Sequence, residues 1–259
     1  MGHPFMQEMT WTEVRDALTE AKVVIVPVGS QEQHGPHLGC STDIASAEYF
    51  GRALAEAVSP LALLAPPLSF GISTHHMAFP GTITLSPETF EAVLMDVGRS
   101  LAHHGVRRML VVNGHGGNRA ALDILSVKLR RDLGIRMAHT LWPILGGSGG
   151  ASAGGRRVGH ACVLETSLMM HIRPDLVRKD ALAEGELQPP VYGDASTQGF
   201  SGFDWWHELT ANGCFAGAPD ATAEAGRRIF ETALQRAIPF LKALAAVEVD
   251  GNTGFPSLP

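Results

Sequence analysis

Four short, largely apolar runs punctuate the chain: "KVVIVPVG" (22–29), "LALLAPPL" (61–68), "MLVVNG" (109–114) and "RMAHTLW" (136–142). None alternates polar with apolar positions. A run of this kind, rich in β-branched residues, predicts a strand buried on both faces, as in a parallel sheet covered by helices. Longer amphipathic stretches separate the runs, so the order reads strand, helix, strand, helix. The pattern predicts an α/β fold, a three-layer α/β/α arrangement with a mostly parallel sheet.

The helical stretches carry their own boundaries. Ser86 is placed to cap a helix with Pro87 at its first position and Glu88 against its dipole, ended by Gly105. Asn118 is expected to cap "RAALDILSVKLRRDL", ended by Gly134. A third helix is expected over about 45–58 and a fourth over about 221–245, with Ile229, Ala233, Leu234 and Ala237 on one face. Pro239 is expected to bend or end the last one. Segment 146–158 is rich in Gly and Ser and reads as a flexible loop, and 249–259 reads as a loose tail. No repeat or linker divides the chain, so 1–259 is expected to form a single domain.

Composition narrows the function. Twenty basic and 26 acidic residues give a net charge of −6, which provides no basic field for nucleic acid. Cys40, Cys162 and Cys214 form no CxxC pair, which fits a reducing cytoplasm. No apolar run reaches the ~18 residues of a membrane span, and no signal-peptide pattern opens the chain. A soluble cytoplasmic protein with no nucleic-acid or membrane partner is expected.

In doubly wound sheets, ligands collect beyond the carboxyl ends of strands. Two strands empty into chemistry-bearing loops, "SQEQHGPHLGCSTD" (30–43) and "HGGN" (115–118). Glu32 and His34, two residues apart, point to the same side of an extended segment. Gly35, Pro36 and Gly39 let the chain turn back towards Asp43, and His115 enters from the neighbouring strand end. A histidine and carboxylate set of this kind suits a two-metal hydrolase, although single residues at strand ends often serve only as caps. "NGHGGN" fits neither GxGxxG nor a P-loop, and "GGSGG" (146–150) lacks the helix that a nucleophile elbow requires.

Together, "PVGSQEQHGPHLGCSTD" (27–43), "HHMAFPGTITLSPETF" (75–90), "VVNGHGGN" (111–118) and "GHACVLETSLMMHIRPDLV" (159–177) resemble the creatininase family of metal-dependent amidohydrolases. The resemblance implies two divalent ions, Zn²⁺ first, with Mn²⁺ or Fe²⁺ as alternatives. It implies that Glu32, Asp43 and His115 bind one ion, and that His34 and the bridging Asp43 bind the other. The glutamate that creatinine-hydrolysing members carry two residues after the histidine is Gly117 here, which leaves the second ion one ligand short. Glu165 is the expected replacement; its alternative is a first-turn acid stabilised by the helix dipole.

His160 matches the histidine that protonates the departing nitrogen. His76, Gly116, Gly117 and Asn118 are expected to contact substrate or support the ligands, and His37 to belong to the loop or to stand behind the ligands. Trp205 and Trp206 read as core or subunit interface, outside the site. The implied activity is hydrolysis of a non-peptide or cyclic C–N amide in a small molecule by metal-activated water, within a homohexamer. Formamide deformylation, trimming of a modified peptide cofactor precursor, and a non-catalytic metal-dependent scaffold are the alternatives.

Overall fold

The computed structural model describes residues 3–147, 159–193, 202–249 and 254. After α1 (Trp11–Ala17), β1 (Val23–Val28) forms the middle of a parallel sheet. It leads through α2 (Thr42–Val58) to β2 (Ala62–Leu64), then through α3 (Pro87–His103) to β3 (Arg108–Asn113) and through α4 (Arg119–Leu133) to β4 (Arg136–Leu141). The strand order is β2-β1-β3-β4. The expected run 61–68 yields only three residues of strand, because Pro66 and Pro67 have no N–H to offer the ladder; Leu68 alone rejoins β1, bridging Val28.

Side chains alternate between the two faces of the sheet. Val23, Ile25, Leu110 and Val112 pack with α2, α6 (Val163–Ile172) and α8 (Ala223–Ala246). Val24, Val26, Val28, Met109 and Val111 pack with α3 and α4. These are the two helical layers that the unbroken apolar strands imply. The short α5 (Trp142–Leu145) closes the first layer, where Trp142 stacks on Phe50 at 4.5 Å, and α7 (Trp206–Leu209) lies beyond the sheet's carboxyl edge.

Several boundaries follow the expected chemistry. Ser86 Oγ accepts the Thr89 N–H at 3.2 Å with Pro87 in the first turn, and Gly134 ends α4 at φ 63°. Helix α2 starts at Thr42, so Asp43 belongs to its first turn.

Two expectations are corrected. Asn118 precedes α4 but caps nothing; its Oδ1 accepts the Ile72 N–H at 2.9 Å, and its Nδ2 donates to Gly29 O at 3.0 Å and Asn113 Oδ1 at 3.1 Å. Being fully buried, it ties two loops to the end of β3 rather than serving one helix end. Of the bend or end expected at Pro239, the end does not occur: α8 continues to Ala246, and both Pro239 and Gln235, four residues back, are exposed, which leaves the carbonyl without a helical donor on the solvent side.

Of the expected flexible loop and loose tail, residues 148–158, 250–253 and 255–259 lie outside the described residues. No helix among the described residues is long and apolar enough to cross a membrane.

The topology fixes where a ligand goes. From β1 the chain moves one way to β2 and then crosses back to β3 on the other side. Val28 and Asn113 are register partners, so β1 and β3 end level, and the loops after them diverge and leave a crevice.

Candidate metal centre

The loop after β1 folds into a tight return. Gly35 at φ 62° and the antiparallel bridge from His34 to Leu38 reverse the chain, and Thr42 Oγ1 donates to Gly39 O at 2.7 Å as α2 begins. This brings His34 Nε2 within 3.1 Å of Asp43 Oδ1. From β3, His115 Nδ1 reaches both Glu32 Oε2 and Asp43 Oδ2, each at 3.1 Å. Glu32, Asp43 and His115 therefore offer ligand atoms mutually within 4.8 Å, as do His34, His160 and Glu165.

Glu32, His34, Asp43 and His115 are buried and His160 and Glu165 half-buried, and each imidazole is oriented from behind. His115 Nε2–H donates to Ile72 O at 3.0 Å, His34 Nδ1–H to Glu32 O at 3.2 Å, and His160 Nε2–H to Gln33 O at 2.6 Å. A backbone carbonyl behind the ring is how proteins fix a histidine that ligates a cation with its other nitrogen. Ser73 Oγ donates to Glu32 Oε2 and is itself bonded to Ser30 Oγ. His34 Nε2 and Asp43 Oδ2, pointing inward, have no hydrogen-bond partner. A cation between them satisfies both atoms, so the donor set fits a divalent metal.

The electrostatics agree. Burial works against the charged form of His34, but Asp43, Glu165 and Glu32 outweigh it and bring its pKa up to about 9. Burial likewise opposes charge on His115, yet Glu32 and Asp43 hold it well above the ordinary imidazole value. Burial opposes ionisation of Asp43, while His34 and His115 hold its carboxyl below the usual range. Burial, with Asp43 and Glu32, pushes Glu165 up to about 7 against the pull of His34. The crevice thus demands positive charge, which either imidazolium protons or a metal ion can provide. His160 differs: burial first, then His34 and His76, keep its pKa well below 6.5, so its ring is uncharged.

Glu165 occupies the first turn of α6, where its Oε2 accepts the N–H of Ala161 at 2.7 Å. Ala161 has φ 51°, a strained value for a residue with a Cβ, and this turn aims the preceding His160 at the crevice. His160 Nδ1 lies 3.6 Å from Glu32 Oε1.

A cavity of about 360 Å³ opens over these groups, with Gly116, Gly117, His75, Leu141, Ile144 and Leu164 in its walls. Gly117 leaves no room for a side chain: a Cβ there stands 3.0 Å from His75 Cε1 and closer still to His115 and Ile72. The reading that set Trp206 aside is corrected here. Its indole lies 4.6 Å from the ring of His76 and 5.1 Å from that of His160, and it forms one wall of the cavity. Trp205 is exposed and stays outside. The adjacent tryptophans were visible in the sequence, but no local pattern shows which of them turns inward.

His37 lies behind the centre. Fully buried, it bonds Thr166 Oγ1 at 2.9 Å, pinning the β1 loop to α6 next to Glu165. Burial and the nearby His34 lower its pKa to about 4. Between pH 6.5 and 4 the unfolded chain binds a proton at this position that the folded protein does not, so stability falls as pH drops through that window. In urea titrations of chelator-treated protein, His37→Gln is expected to remove roughly 2 kcal/mol of the stability difference between pH 7 and pH 4.5. An unchanged difference removes His37 from that role.

The fold and site together define a doubly wound α/β protein with a histidine and carboxylate centre at its switch point. A sequence model described as creatininase, creatinine amidohydrolase, matches residues 7–241, and the chain belongs to the creatininase family. It is 34% identical over 219 residues to a mycofactocin precursor peptide peptidase of Mycobacterium tuberculosis, covering 80% of this chain and 79% of the relative. It is 39% identical over 176 residues to the protein of that name in Mycobacterium ulcerans, a match that spans 64% of each chain. With the creatinine amidohydrolase of Pseudomonas putida it shares 29% identity over 254 residues, covering 89% and 93%. Among solved structures, a mutant creatininase complexed with creatine superimposes with a TM-score of 0.79 at 26% identity over 95% of this chain and all of that one. A manganese creatininase gives 0.78 with the same identity and coverage, and a zinc-zinc form gives 0.77.

Proposed function

We propose that the chain is a metal-dependent amidohydrolase, a reading carried by the convergence of Glu32, Asp43 and His115 beside His34 Nε2, which makes no hydrogen bond. Glu32, Asp43 and His115 hold one divalent ion, and His34, Asp43 and Glu165 hold a second, with Zn²⁺ first and Mn²⁺ or Fe²⁺ as alternatives. When bound, such ions lower the pKa of a water molecule and polarise a carbonyl. The uncharged His160 presents its Nδ1 lone pair to the crevice, where it takes a proton from the attacking water and passes it to the departing nitrogen. Water oxygen joins the carbonyl carbon, the C–N bond breaks, and the amine leaves neutral. His75, Trp206 and the aliphatic wall seat the amide, and Gly116 leaves that wall open.

The preferred substrate class is a non-peptide or cyclic amide. A peptide amide is the second reading, favoured by the similarity to the mycobacterial peptidases. The working assembly is a homohexamer. Metal-loaded protein offered cyclic amides, N-formyl compounds and short peptides is expected to turn over at least one of them. His160→Ala is expected to lose on the order of 10²–10⁴ in kcat while keeping its metal. Turnover of no amide by metal-loaded protein, or no binding of added Zn²⁺ or Mn²⁺, refutes the reading.

A further inference from the structure

We infer that His76 is a hydrogen-bond donor to the bound amide, its Nε2–H facing the cavity, and that Gln33 is the positioning residue that fixes this proton. The inference rests on the hydrolase reading above. Five imidazoles surround the crevice, and three of them, His34, His115 and His160, donate their outer N–H to a backbone carbonyl and so present a lone pair inward. His76 is built the other way round. Its Nδ1 stands 2.9 Å from Gln33 Nε2, and an amide NH₂ has only protons to give.

The amide cannot be read in the reverse orientation. Gln33 Oε1 accepts the Gly35 N–H at 2.8 Å, and Gln33 Nε2 donates to Gly213 O at 3.3 Å. A flip sets donor against donor at Gly35 and acceptor against acceptor at Gly213. Gly213, at φ 84°, packs so closely on the amide that a Cβ there falls 2.9 Å from Gln33 Cδ. His76 Nδ1 is therefore an acceptor, and the neutral ring carries its proton on Nε2. A metal-ligand role requires the opposite tautomer, with Nδ1–H pressed against the NH₂ of Gln33.

The Nε2–H is available to a substrate. It lies 3.5 Å from Glu32 Oε1, long for a hydrogen bond, and the ring is held between His160 at 4.5 Å and Trp206 at 4.6 Å at the cavity wall. A fixed donor in a water-poor site, aimed where an amide oxygen gains charge, is worth about 10²–10³ in rate.

The test is ¹⁵N NMR of zinc-loaded, histidine-labelled protein, combined with kinetics on whichever amide the wild type turns over fastest. The His76 signals are assigned by their loss in His76→Gln and, independently, by their displacement in Gln33→Glu. The expected wild-type state is a protonated Nε2 with a bare Nδ1. In Gln33→Glu the carboxylate accepts from Nδ1 and the tautomer reverses, with zinc content unchanged and kcat lower by about 10²-fold. His76→Phe is expected to show the same loss, and His76→Gln, which restores an N–H donor, to recover at least about tenfold of it. A proton on Nδ1, a zinc-bound Nε2, or an undiminished kcat in both Gln33→Glu and His76→Phe overturns the inference. If the wild type cleaves no amide, the hydrolase reading fails, and the tautomer measurement still decides the donor assignment.

Discussion

Asp43→Ala is expected to bind neither ion at stoichiometry and to lose at least about 10³-fold in turnover. The two oxygens of this carboxylate face different partners, Oδ1 towards His34 Nε2 and Oδ2 towards His115 Nδ1, each at 3.1 Å. Both proposed ion positions share it, so removing it strips each of an anionic ligand. By contrast, His34→Ala touches only one set and is expected to retain close to one ion. Elemental analysis after dialysis against Zn²⁺ reads the difference directly. Asp43→Asn keeps the volume and separates loss of charge from loss of packing. If Asp43→Ala retains two ions per chain, Asp43 does not bridge.

The second large effect is one of stability. Gly114→Ala is expected to cost about 2–4 kcal/mol, because the added Cβ falls 2.9 Å from the carbonyl carbon of Asp43 and closer still to its oxygen. Both obstacles are main chain, at the start of α2, so no rotamer change relieves them. Gly116, two residues on, meets nothing within 4 Å, and Gly116→Ala is expected to stay within about 0.5 kcal/mol. Urea denaturation of the two variants beside the wild type measures the contrast. Equal midpoints would mean that the β3 loop yields around Asp43, and that the close approach of the two loops is not a fixed feature.

The contrast also shows how far a sequence reading reaches. The strands were legible because burial on both faces leaves an unbroken apolar run, and Ser86 and Gly134 were legible because caps are chosen by residues a few positions away. Glu32, His34, Asp43 and His115 stood out as polar groups immediately after such runs. Asn118 misled because its partners are Ile72 and Gly29 in two distant loops and Asn113 at the end of β3, none of them in the helix it was expected to cap. Trp206 was missed for a similar reason: its neighbours His76 and His160 are 130 and 46 positions away. The tautomer of His76 depends on Gly213 holding Gln33, a relation without local signature. The glycines of "NGHGGN" looked alike on paper, yet Gly114 and Gly117 are tight against protein and Gly116 stands open.

The sheet's order carries one more consequence. Asp43 opens α2, which lies over one face, while His115 precedes α4, which lies over the other, and the two apolar cores are separated by the strands between them. An ion held by both residues, as proposed, would act as a rivet through the seam of the two layers. Stripping it should loosen the sliding of one layer against the other before either core melts, so the chemistry and the mechanical stiffness of this fold are set at the same point.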